Sequence, residues 1–141
     1  MKIHLKNGRV IDPASGMDAI QDIYLAAGHI QAVGSVPADF HANQVIDAAG
    51  LVVCPGLVDL SLRLREPGLE HIAGLESEMR AAAAGGVTSL ACPPDTHPPL
   101  DEPGLVEMLK FRARTMPGPR VYPVGALTRN LKGERLTEMA E

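Results

Sequence analysis

The chain has 141 residues, 45% of them hydrophobic and 21% charged, figures ordinary for a globular protein with one modest core. A formal net charge of -4 excludes a basic nucleic-acid footprint, and 3% aromatic residues with no Trp argue against stacking platforms for bases or sugars. No apolar run approaches the roughly 20 residues of a membrane helix, and the first dozen residues alternate in charge where a signal peptide has an apolar core. A cytoplasmic protein without membrane contact is expected.

Residues 1–53 read as three hairpins. Ile3 and Leu5 are separated from Val10 and Ile11 by Asn7-Gly8, a tight-turn signal. Asp22 to Leu25 and His29 to Val33 flank Ala26-Ala27-Gly28. Gln44 to Ile46 and Leu51 to Val53 flank Asp47-Ala48-Ala49-Gly50. Short paired strands at this spacing predict a small antiparallel sheet, a portion of a β-sandwich. Cys54 and Cys92 are too few for a disulfide scaffold and are expected as buried, reduced thiols.

From residue 54 the rhythm becomes strand, helix, strand, helix, strand. Leu57 to Leu64 is an apolar-rich strand. Glu70 to Ala84 is helical, with Ile72, Leu75, Met79 and Ala83 on one face, and Gly85-Gly86 ends it. Val87 to Cys92 is a second strand, Asp101 to Thr115 a second helix broken by Pro117-Gly118-Pro119, and Val121 to Leu127 a third strand. Leu131 to Ala140 reads as the start of another helix. Such alternation predicts parallel strands joined by crossovers.

The stretch Pro55-Gly56-Leu57-Val58-Asp59-Leu60-Ser61-Leu62-Arg63-Leu64-Arg65-Glu66-Pro67-Gly68 resembles the first barrel strand of dihydroorotases and related cyclic amidohydrolases. There the pattern is PG-[LIV]-[IV]-D-x-H-x-H-x-R-x-P-G. The likeness continues through Glu70-His71, the run from Arg80 to Thr88, the Pro-rich segment Cys92 to Asp101, and Gly125-Ala126-Leu127-Thr128. It implies an α/β fold: an N-terminal β-sandwich portion over 1–53, then the first three β/α units of an amidohydrolase TIM-type barrel over 54–141.

In the family the two histidines, at i and i+2 of a strand, face the same way and hold a zinc ion that activates water. Ser61 and Arg63 occupy those positions here. A neutral hydroxyl is a poor zinc ligand, and Arg, which stays protonated, cannot ligate at all. A guanidinium about 4 Å from a dication would cost on the order of 8 kcal/mol at an effective dielectric of 20. The metal positions are therefore expected to be degenerate, with no metal held and no catalytic residue. Arg65 stands where the family pairs the substrate carboxylate, and Asp95 where it commonly has Asn, so both are expected as vestigial substrate-binding positions. Arg63 and Arg65, sharing a face with Ser61, could pair with Asp95 and fill the vacant pocket.

Among the histidines, His71 is expected in helix capping or packing and His97 in a surface loop. His4, His29 and His41 are expected to face solvent. Lys110, Arg112 and Arg114 read as a solvated basic helix face. The resemblance is nearest to non-catalytic dihydroorotase-like proteins of pyrimidine biosynthesis, which implies aspartate transcarbamoylase catalytic subunits as partners and a homo-oligomer. Two other readings stay open: an active zinc-dependent cyclic-amide hydrolase of dihydroorotase or allantoinase type with an altered metal site, and a small-carboxylate-binding module.

Overall fold

The computed structural model describes residues 1–138, and the chain divides into two compact units, Met1–Pro55 and a second beginning at Gly56. In the first, strands β1 (Lys2–Asp12), β2 (Met17–Ala26), β3 (His29–Val33), β4 (Gln44–Asp47) and β5 (Val52–Val53) form one sheet. Its order is β3-β2-β1-β4, with β5 also on β1. The β2–β3 hairpin turns on Ala27 and Gly28, both at positive φ (53° and 77°), the backbone a two-residue hairpin turn of the right twist demands.

Two expected hairpins are absent. Asn7-Gly8 is no turn: β1 runs straight through it, and the register against β2 slips between Leu5 and Gly8 as a bulge, with Asn7 at φ 63°. Asn tolerates the left-handed region, which serves a bulge as well as a turn. Residues 44–53 do not fold back on themselves either. β4 and β5 both run parallel to β1, so the sheet is mixed, and the expected antiparallel arrangement holds only for β1, β2 and β3. Period-two alternation marks a strand but carries no information about its partner's direction. The loop Asp47–Leu51 fits the bulge: Ala48 N–H donates to Lys6 O at 2.9 Å, Arg9 N–H to Leu51 O at 3.0 Å, and Asn7 Nδ2 to Asp47 Oδ1 at 3.1 Å.

The second unit is built from β6 (Leu57–Asp59), α1 (Leu75–Ala84), β7 (Val87–Cys92), α2 (Pro103–Arg114) and β8 (Arg120–Pro123). Its strands form a parallel sheet in the order β6-β7-β8. Leu75, Met79 and Ala82 recur at helical spacing and are buried on α1, as Leu109 and Ala113 are on α2. They pack with Leu64, Leu90, Cys92 and Leu100 in one core. Gly85 caps α1 and Gly86, at φ 83°, carries the chain into β7. Pro103, lacking an N–H, sits in the first turn of α2 where none is needed.

Boundaries differ from expectation in three places. β6 stops at Asp59, five residues short. α1 starts at Leu75 rather than Glu70, and Ile72 and Ala83, expected on its buried face, are exposed while Ala82 is buried. The segment from Leu131 is no α-helix among the described residues: a 3-10 turn, Arg129–Leu131, is followed by a bridge between Thr128 and Leu136. The end of that expected helix lies outside the described residues. Cys92 is buried, but Cys54 is exposed, against expectation. No helix among the described residues is long and apolar enough to cross a membrane.

Candidate functional site

Two loops leave the C-terminal ends of β6 and β7, over residues 60–69 and 93–100. Asp59 ends the first strand by accepting the Ser61 N–H on Oδ1 at 2.8 Å, a local turn that competes with continued pairing. Leu62 N–H still reaches Ala91 O at 3.1 Å, and Leu64 is fully buried. Arg65 then takes φ 64°. Strand alternation therefore does not place Ser61, Arg63 and Arg65 on one face, because the strand ends before any of them.

The fold nevertheless brings three of the four singled-out residues together. Arg63, Arg65 and Asp95 line one small cavity of about 10 Å³ with Leu64, Leu69, Cys92, Pro93 and Thr96. Ser61 is exposed and not part of that lining. Arg63 Nε donates to Asp95 Oδ2 at 2.7 Å. With side chains 50% and 42% exposed, the pair is well solvated, and such pairs contribute about 0–1 kcal/mol. Arg65 makes no ion pair among the described residues. Beneath the cavity, burial pushes the Cys92 thiol pKa up, so Cys92 is a packed, protonated thiol.

The loops are also tied through the backbone. His97 N–H donates to Pro67 O at 2.9 Å, and the buried Thr96 hydroxyl donates to Pro98 O at 2.7 Å. Gly68, at φ 92°, lies so close that a Cβ there would stand 1.7 Å from His97 O. The residue that sequence reasoning missed is Glu66. It is 6% exposed; Oε1 accepts the first N–H of α1, from Leu75, at 2.8 Å, where the helix dipole favours an anion. Its Oε2 lies 2.5 Å from Arg112 Nη1, an ion pair without hydrogen-bond alignment. Arg112 thus leaves the expected solvated basic face to pair inward. Glu70 accepts the Gly68 N–H at 2.9 Å, which holds its carboxyl pKa below the usual range. The one available signal for Glu66 is a carboxylate set between Arg65 and the Pro67-Gly68 turn, directly ahead of α1.

The donor set does not fit a zinc ion at the first-strand positions. Ser61 offers a neutral hydroxyl on the surface, and Arg63 places a cation there already engaged with a carboxylate. Among the described residues no three His, Cys, Asp or Glu side chains converge as a metal cluster; His71 and His97 are both exposed.

The family model described as Dihydro-orotase-like matches residues 50–141. A "Dihydroorotase-like protein" of Pseudomonas aeruginosa is 53% identical over 139 residues, 99% of this chain and 33% of its own length. A "Dihydroorotase" of Ruminiclostridium cellulolyticum is 46% identical over 141 residues, covering all of this chain and 33% of that protein. Among solved structures, the L-hydantoinase (dihydropyrimidinase) of Arthrobacter aurescens matches with a TM-score of 0.78 at 26% identity, over 92% of this chain and 29% of that one. The chain spans about one third of the length of the curated relatives it matches.

Proposed function

As the chain belongs to the dihydroorotase-like family, we propose that it is part of a dihydroorotase-like subunit of pyrimidine biosynthesis that performs no hydrolysis itself. The subunit is cytoplasmic and homo-oligomeric, and it supports assembly of aspartate transcarbamoylase catalytic chains. The unit from Gly56 onward is then the first three β/α units of a TIM-type barrel, and 1–53 the start of the preceding sandwich.

The observation that carries the loss of hydrolysis is Arg63, a permanent cation paired with Asp95 at 2.7 Å where the family has a zinc-binding imidazole. Asp95 supports it from the other side: its carboxylate, standing where the family commonly has Asn, is engaged by Arg63. Arg65 lines the same cavity and makes no ion pair among the described residues, the one feature that favours a small-carboxylate-binding role. The scaffold role rests on resemblance to the non-catalytic members of the family.

The test is metal content and dihydroorotase turnover on one preparation of the intact gene product, with Ser61→His/Arg63→His alongside. The parent is expected to carry no stoichiometric zinc and to show no turnover, and to co-purify with aspartate transcarbamoylase. Stoichiometric zinc with measurable ring opening would establish the rival reading, an active cyclic-amide hydrolase with an altered metal site.

A further inference from the structure

The loops over 60–69 and 93–100 meet through His97 N–H to Pro67 O, through the close approach of Gly68 to His97 O, and through Arg63 to Asp95. The first two are neutral backbone contacts; the third is the only ion pair between the loops among the described residues. From this we infer that the Arg63–Asp95 pair is a latch: a covalently tethered cation that bridges the two loops and keeps them docked without any bound metal. The inference deepens the reading of this site as non-hydrolytic and rests on it.

The chemistry of the pair fits that task. One guanidinium charge neutralises one carboxylate, so the site needs no further cation. Arg65 at the wall of the same cavity adds a second positive charge, which disfavours a metal cation there. Half exposure limits the latch to a local effect: it governs how often the loops part rather than whether the domain unfolds.

Hydrogen exchange read by mass spectrometry on the intact gene product tests this, using the parent, Arg63→Gln, Asp95→Asn and the double variant. Peptides over 60–69 and 93–100 are expected to exchange about 3–5-fold faster in each single variant, as loss of a half-exposed pair dictates. The double variant should be no faster than the worse single, because both remove one interaction. Peptides of α1 should be unchanged. In the parent, EDTA should have no effect and high salt should speed the same peptides. Single variants that exchange like the parent, or effects that multiply in the double variant, would overturn the latch. So would acceleration by EDTA. If a variant fails to fold, the salt and EDTA arms on the parent decide. Zinc-dependent turnover by the parent would sink the non-hydrolytic reading whatever the exchange shows; uncoupled variants in an inactive, zinc-free parent would sink the latch alone.

Discussion

Glu66 shows what a single buried carboxylate does when each oxygen has a separate partner. One oxygen caps α1, the other faces Arg112 on α2, and the backbone between Leu64 and Gly68 is held by both. Glu66→Gln keeps an acceptor for Leu75 N–H and loses the charge, so it is expected to cost about 1–2 kcal/mol. Glu66→Ala leaves a helix N–H unsatisfied as well and is expected to cost about 2–4 kcal/mol. Urea unfolding of the intact gene product measures both; equal costs would mean the cap contributes nothing. In the first unit, Asp22 accepts the Asn7 N–H at 3.0 Å and contacts His4 Nε2 at 2.8 Å, and these bonds, the backbone one first, hold its pKa below the usual carboxylate range. A pKa lowered in the folded state stabilises above the ordinary Asp value near 4, and that stability is lost as pH falls through the lowered folded value. Asp22→Asn should therefore melt below the parent at pH 7, with the gap closing progressively below about pH 4. A gap independent of pH would show that charge on Asp22 is irrelevant.

At the scale of elements, the bulge in β1 is where local sequence and long-range pairing meet. Gly8 is needed less for its φ than for space: a Cβ there would lie 2.7 Å from Val53 Cγ2 and 3.3 Å from Ala48 Cβ. Gly8→Ala is expected to push β5 off β1 at a cost of about 1–3 kcal/mol, the usual range for overpacking. Thermal melting checks it, and an unchanged melting temperature would mean that β5 shifts freely. The same element shows what was legible beforehand. The β2–β3 turn and β7 from Val87 to Cys92 were readable, because turn chemistry and a bounded β-branched and apolar run are local signals. Pairing of β1 with β4 spans some forty residues and leaves no local trace. The helical period overstates α1 by five residues because Glu70 and Ile72 continue it, although the turn after Pro67-Gly68 uses them otherwise. At the site, the sequence shows Ser61 and Arg63 where the resemblance expects imidazoles. The geometry did not follow from it, since the Asp59 turn and the φ of Arg65 break the alternation on which a shared face depends.

Each unit of the whole molecule leaves apolar surface open. In the second, Leu57, Val58, Leu60, Tyr122, Val124 and Leu127 are exposed, and among the described residues β6 and β8 are both free sheet edges. Exposed apolar surface beside unpaired edges is a template for association. Residues 1–141 made in isolation are therefore expected to self-associate and to bind an apolar dye. Light scattering at several concentrations checks this, and a dye-silent monomer would overturn it. The mixed pairing of β1 also has a temporal side. β1 is synthesised before the other strands of its sheet, and β2 and β3 can join it through local hairpins that close in microseconds. Its other edge, however, is completed only by residues 44–53. Contacts of such long sequence separation close late, so during synthesis the earliest strand of this sheet is among the last of it to have both edges paired.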